Sequence, residues 1–255
     1  MAVEKTSKAI TRPLQDEEQA ARGKKVQSAE LGTEILKALA DLSPSTSLKR
    51  LSEHLGMPPA KVHRYLQALL ASGFAEQDPL TNHYGLGAGA LHVGLAAIRR
   101  LDVVRIGTPL LAALRDALEQ TCFLAIWGNH GPTVVHVEPA QGVVTLVTQM
   151  GSVLPLQNSS TGRVFCAFHS AAQATEIEQR ALERIRQDGL CAVHGTLMPG
   201  VNGLSAPVFT TGRALAGVIT VVGSTAGFDA DPFGSAARAL LDTARKISLQ
   251  MGSEH

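Results

Sequence analysis

The sequence is poor in cysteine, carries almost no net charge and has no long apolar run. Cys122, Cys166 and Cys191 are its three cysteines, far apart and without a Cys-x-x-Cys pair. An odd, scattered set excludes a disulfide framework and reads as small buried hydrophobes in a reducing compartment. The net charge of +1 gives no whole-chain basic signature, so contact with nucleic acid must rest on local residues. No apolar stretch approaches the roughly 20 residues that span a bilayer. The opening segment is polar and mixed in charge, without a signal-peptide core. A cytoplasmic protein with no membrane partner is expected.

Catalytic and metal motifs are also missing. There is no G-x-S-x-G elbow and no H-E-x-x-H pair. His130, His136, His169 and His194 match no ligand spacing, so neither a metal nor a cofactor is expected. Cys166 and His169 are helical neighbours, but no third residue orients them as a thiol–base pair. Gly85-Leu86-Gly87-Ala88-Gly89 lacks the strand and the spacing of a dinucleotide loop.

What is present is a chain of 255 residues, 45% hydrophobic and 18% charged. It can bury a large core, and at about 100–200 residues per domain it holds about two. Residues 1–25 lack apolar periodicity and read as a disordered arm. From Val26 the pattern becomes helical. Leu31, Ile35, Leu36, Leu39 and Leu42 share one face, up to Ser43-Pro44. Ser47 is a good N-cap for a second helix with Leu48, Leu51 and Leu55 inward, closed by Gly56. Pro58-Pro59 opens a third helix with Val62, Tyr65, Leu66, Leu69 and Leu70 inward, ending at Ser72-Gly73. Two short strand-like runs around Asp78-Pro79-Leu80-Thr81-Asn82 then make a hairpin. Three helices and a hairpin give a winged helix-turn-helix over 26–87.

A linker helix is expected over 88–101; its surplus of apolar positions suits packing on a second subunit. An amphipathic helix over 102–120 opens the remainder, 102–255. Strands are expected at Phe123–Trp127, Thr133–Val137 and Val143–Thr148, and at about 190–194, 204–209 and 214–223. A helix begins near Arg163, a charged helix covers 173–188, and a last helix covers 231–251. This is an α+β class domain, an antiparallel sheet flanked by helices.

A recognition helix buries one face and offers the other to the major groove. On the third helix the offered residues are Ala60, Lys61, His63 and Arg64. Lys49 and Arg50 stand at the start of the second helix, with Glu53 the main acidic residue between the groups. Ser45, Thr46 and Ser47 are placed to bond phosphates, helped by helix-start amides. Thr81, Asn82 and His83 at the hairpin tip are placed for the backbone or minor groove. A winged helix used for protein contacts is the alternative on spacing alone.

For a small ligand, Asn158, Ser159, Ser160, Thr161 and Gly162 lead into a helix. Helix-start amides plus hydroxyls suit a carboxylate, although plain helix capping explains the same residues.

Several stretches together resemble the IclR family of bacterial regulators: VQSAELGTEILKAL, LKRLSEHLGMPPAKVHRYLQALLASGFAEQD, HYGLG, LPLQNSSTGRVFCAF, PGVNGLSAPVF and GRALAGVITVVG. The resemblance runs from Val26 to the last helix. It implies a winged helix-turn-helix, a linker helix and a GAF-like effector-binding domain. It also implies a homodimer or dimer of dimers on double-stranded, palindromic operator DNA, with a small-molecule effector against the 158–162 loop and the later strands. The family's usual small hydroxyl residues before Val-His-Arg are replaced by Ala60 and Lys61, which suggests a different operator, with Lys61 reading guanine. Positions where the family often has acidic residues fall on Val193, after Cys191, and on Thr196. A frequent cysteine falls on Gly203, and two frequent serines on Thr220 and Val222. With Phe123, Leu154 and Leu156 nearby, the implied pocket is larger and less acidic. It suits an effector with an apolar body and a carboxylate, such as an aromatic acid. Gly162-Arg163-Val164 resembles the aromatic-catabolism branch. A small-molecule enzyme fused to a winged helix stands as the alternative function.

Overall fold

The computed structural model describes residues 28–140, 149–170, 172, 177 and 179–253. The expected arm at 1–25 and the strand expected at Val143–Thr148 lie outside these residues. The chain divides into two compact units, Met1–Ala97 and Ile98–His255, within a single helix.

In the first unit α1 (28–41) and α2 (Leu48–Leu55) precede α3 (Pro59–Ala71). Ser47 caps α2 by accepting the Arg50 amide at 3.3 Å, and Gly56 closes it at φ 61°, a left-handed value that glycine takes without strain. Pro59 fits the first turn of α3, where no intrahelical donor is needed. Ile35, Leu39, Leu51, Val62 and Leu66 meet in one core. The wing pairs β1 (Ala75–Gln77) with β2 (Tyr84–Leu86), antiparallel. Its tip is tied by Asp78, which accepts the Leu80 amide and the Thr81 hydroxyl, both at 2.8 Å. Those donors hold the Asp78 carboxyl below its usual range. α4 (Ala88–Arg99) follows, crossing the division between the units.

The second unit opens with α5 (Asp102–Leu118), then the hairpin β3 (Thr121–Gly128) and β4 (Gly131–Glu138). After it come α6 (Ser160–Phe168), α7 (Gln179–Asp188), β5 (Cys191–His194), β6 (Val201–Phe209), β7 (Leu215–Ser224) and α8 (Ser235–Gln250). The five strands form one antiparallel sheet in the order β4-β3-β7-β6-β5. Strand alternation splits its side chains between two cores. Leu124, Leu204, Ala206, Ile219 and Val221 pack with Leu111 and Leu114 of α5 and Leu240 and Ile247 of α8. Ala125, Val193 and Val218 pack on the other face with Val164 and Phe165 of α6 and Leu182 and Ile185 of α7. Helices therefore cover both sheet faces. β6 begins at Val201, three residues before the expected 204, because Pro199-Gly200 ends the preceding turn. α7 is described from Gln179, within the expected 173–188.

All three cysteines are buried. Burial pushes the Cys122 thiol up to about 12 and Cys191 to about 11, and raises Cys166 as well. The unfolded chain ionises its thiols first, so their contribution to stability is complete below pH 9 and declines as pH rises toward 11–12. Denaturant midpoints measured from pH 8 to 10.5 are expected to fall. A triple Cys→Ala variant is expected to show a smaller fall, and an equal fall in both proteins would contradict the assignment.

Candidate effector cavity and DNA-reading surface

On α3, Val62 and Leu66 are buried, which turns Ala60, His63 and Arg64 outward and leaves Lys61 half-buried. Arg64 lies over the Tyr65 ring at 5.3 Å, a cation–π contact. Gln67, one turn beyond His63 and 3.5 Å from it, shares the exposed face. Gln67 is not among the residues expected from the sequence to face DNA, although its i+4 spacing from His63 puts it on the same face. Lys49, Arg50 and Ser45 are exposed, with Lys49 only 4.0 Å from Glu53 in a loose pair. At the wing tip Thr81 and Asn82 are exposed and His83 is half-buried. The Thr81 hydroxyl is engaged by Asp78.

Thr46 departs from its expected phosphate role. It is 2% exposed, its backbone exchanges hydrogen bonds with Tyr84 of the wing, and its hydroxyl is sealed inside. Its place is structural: it ties the loop before α2 to β2. Ser47 is partly committed too, as the cap of α2.

In the second unit a cavity of about 360 Å³ lies between the first turn of α6 and the sheet. Phe123, Gly203, Thr220 and Val222 come from β3, β6 and β7, and Val193 from β5. Leu154 and Ser152 sit on a segment that hydrogen bonds along β4, through Ser152 O to the Val134 amide and Leu154 N to Pro132 O. Leu197 and Met198 close the far side from the β5–β6 turn. Among the described residues, none on the lining is charged. One end is polar: Ser159, Ser160 and Thr161 at the start of α6. The amides of Ser160 and Thr161 are first-turn donors with no intrahelical acceptor, where the positive end of the helix dipole lies.

The structure thus brings Phe123, Leu154, Ser159, Ser160, Thr161, Val193, Gly203, Thr220 and Val222 together around one space. Four expected residues are corrected. The Gly162 amide is taken by the Ser159 hydroxyl at 2.9 Å. Asn158 is exposed and off the lining. Leu156 and Cys191 point into the core against α6 and α7. Ser152, Leu197, Met198, Val201 and Asn202 line the cavity unforeseen. They come from loops and a strand start that periodicity does not place.

Gly162 has a different importance. A Cβ there would drive into the backbone of Pro155 and Leu156, which presses against the helix. Gly162→Ala is expected to cost about 1–3 kcal/mol through overpacking, read as a lower urea midpoint. An unchanged midpoint would show that the turn relaxes freely.

Comparison with known proteins agrees with this two-part architecture. The model described as the IclR helix-turn-helix domain matches residues 28–79, and that of the bacterial transcriptional regulator IclR C-terminal domain matches 95–181 and 178–249. The HTH-type transcriptional repressor AllR of Klebsiella pneumoniae is 25% identical over 260 residues, covering 94% of this chain and 95% of its own. The crystal structure of Pseudomonas aeruginosa HmgR is 57% identical, with a TM-score of 0.76 over 89% of this chain and 99% of its own. An IclR homolog of Microbacterium hydrocarbonoxydans, solved in complex with 4-hydroxybenzoate, shares the fold at 14% identity and a TM-score of 0.74, over 88% and 98%. Both family models and these relatives describe regulators, so the reading as an enzyme fused to a winged helix falls away. The chain belongs to the IclR family and is a DNA-binding transcriptional regulator with a C-terminal effector-binding domain.

Proposed function

We propose that the cavity of the second unit binds an effector with an apolar body and one carboxylate, such as an aromatic acid. Binding then changes the affinity of the winged helix for a palindromic operator. The observation that carries this reading is the asymmetry of the cavity. Among the described residues its polarity is most concentrated at the first turn of α6, where Ser159, Ser160 and Thr161 meet, while Phe123, Leu154, Val193, Met198 and Val222 offer apolar wall. With no cation on the lining among the described residues, a single small anionic group at the helix start is the best match. The 4-hydroxybenzoate held by the Microbacterium homolog supports the size and class. We place the carboxylate at the Ser160 and Thr161 amides and the ring toward Val222 and Phe123.

On the operator side, Lys61, His63 and Arg64 read bases. Ser45, Ser47, Lys49 and Arg50 hold phosphates, and Thr81, Asn82 and His83 follow the adjacent backbone. Two copies act together in the cytoplasm. Leu91 and Leu95 of α4, one turn apart and 63% and 46% exposed, are the apolar surface that a second copy covers. α4 is also the covalent link between the units, the natural carrier of an effector signal. Coupling of about 1–3 kcal/mol corresponds to a roughly 5- to 150-fold change in operator affinity.

Calorimetric titration of the full-length protein with benzoate-type acids is expected to show one site per chain. A mobility shift on the DNA flanking its gene is expected to change when the same acid is added. Binding of short oxoacids alone would overturn the aromatic class. For the operator, Lys61→Ala is expected to lose about 1–3 kcal/mol on cognate DNA and much less on a scrambled duplex. Equal loss on both would make Lys61 a phosphate contact.

A further inference from the structure

Beneath the first turn of α6 lie four buried hydroxyls: Ser160, Thr161, Ser205 and Thr220. Ser205 was not foreseen as a site residue. Thr161 and Thr220 are 2.8 Å apart, Thr220 and Ser205 are 2.8 Å apart, and Ser205 donates to Ser160 at 2.8 Å. A longer contact of 3.4 Å joins Thr161 to Ser205.

Each hydroxyl has one proton to give, and that fixes the direction of the chain. Ser205 gives its proton to Ser160, so the bond between Thr220 and Ser205 must use the Thr220 proton. The bond between Thr161 and Thr220 must then use the Thr161 proton. The order is Thr161 to Thr220 to Ser205 to Ser160, each step donating to the next. Ser160 is left with a proton and, among the described residues, no protein acceptor for it. It is 3% exposed and lies on the cavity wall. Its oxygen sits 3.1 Å from where a Cβ on Gly203 would be, so the absence of a side chain at Gly203 leaves the hydroxyl its room.

We propose that this relay makes Ser160 a committed hydrogen-bond donor to the effector, and that Ser205 is the positioning residue that sets this polarity. The group bound at the α6 end must then accept a hydrogen bond, which an ionised carboxylate does more strongly than a hydroxyl. The proposal rests on the reading of the cavity as the effector site and adds the means of selection. Donation along the chain polarises each hydroxyl in turn and strengthens the last one as a donor. A bound alcohol gains less there, because a neutral acceptor takes a weaker bond than an ionised one.

The test uses the full-length protein, with benzoate and phenylacetate-type acids and the alcohols that match them. Affinities come from calorimetry or, for weak ligands, from displacement of a bound acid. Ser160→Ala is expected to weaken the acids by about 10- to 100-fold, the scale of one hydrogen bond to a charged group. The alcohols are expected to change far less. Ser205→Ala is expected to lower the acid-to-alcohol ratio in the same direction by about three- to tenfold. Thr220→Val, nearly isosteric, interrupts the chain one step earlier and is expected to do so in smaller measure, which covers the case in which Ser205→Ala melts poorly. Leu154→Trp, which fills the cavity, is expected to block both ligand classes. If Leu154→Trp blocks binding but the ratio stays constant in the serine and threonine variants, the relay is refuted and the cavity stands. If no acid binds the unaltered protein, or Leu154→Trp leaves acid binding intact, the cavity reading fails and the relay with it.

Discussion

The seating of the first turn of α6 on the sheet governs the second unit. Ser159 works in two directions there, donating to Pro155 O at 2.6 Å and accepting the Gly162 amide at 2.9 Å. Gly162 lets the helix press against the Pro155–Leu156 backbone closely enough to exclude any Cβ. Thr161 and Ser160 then reach down to Thr220 and Ser205 on β7 and β6. The turn is held by its cap above and by hydroxyls below, so its free amides keep a fixed aim. A binding site built on such a turn does not have to be organised by its ligand.

The chemistry of the site follows from what surrounds that turn. Sheet alternation places Thr220 and Val222, Gly203 and Ser205, and Phe123 on the side facing α6, while their neighbours Val221, Leu204 and Leu124 build the opposite core. The cavity is therefore a gap left on one sheet face, polar at the helix end and apolar elsewhere. Among the described residues the lining carries no charged side chain, and the α6 helix start contributes positive potential at its polar end, which in the proposed reading suits one small anionic group. In the proposed effector site, selectivity between an acid and its neutral analogue depends on how the surrounding hydroxyls point.

Legibility in the sequence tracked local punctuation. Ser47, Gly56, Pro59 and Gly73 marked the ends of α2 and α3 because caps and breakers act within a turn of themselves. The outward face of α3 followed from the same periodicity. Thr46 was misplaced because its burial comes from pairing with Tyr84, 38 positions away, which no local rule reports. In the cavity, Ser159 to Thr161 were legible as a helix start and Thr220 through family resemblance. Ser205 was hidden inside a strand whose hydroxyl matters only once β6, β7 and α6 are assembled. Leu156 and Cys191 were nearby in sequence but their side chains face the core. Leu197 and Met198 reach the cavity from a turn.

The central claim is that an acid's carboxylate sits at the Ser160 and Thr161 amides. Backbone amide NMR of the isotopically labelled protein, titrated with benzoate, tests it most directly. The account predicts large downfield proton shifts at Ser160 and Thr161 with the Gly162 amide changing little, since Ser159 already holds it. Saturable binding that leaves the Ser160 and Thr161 amides unmoved would contradict the account.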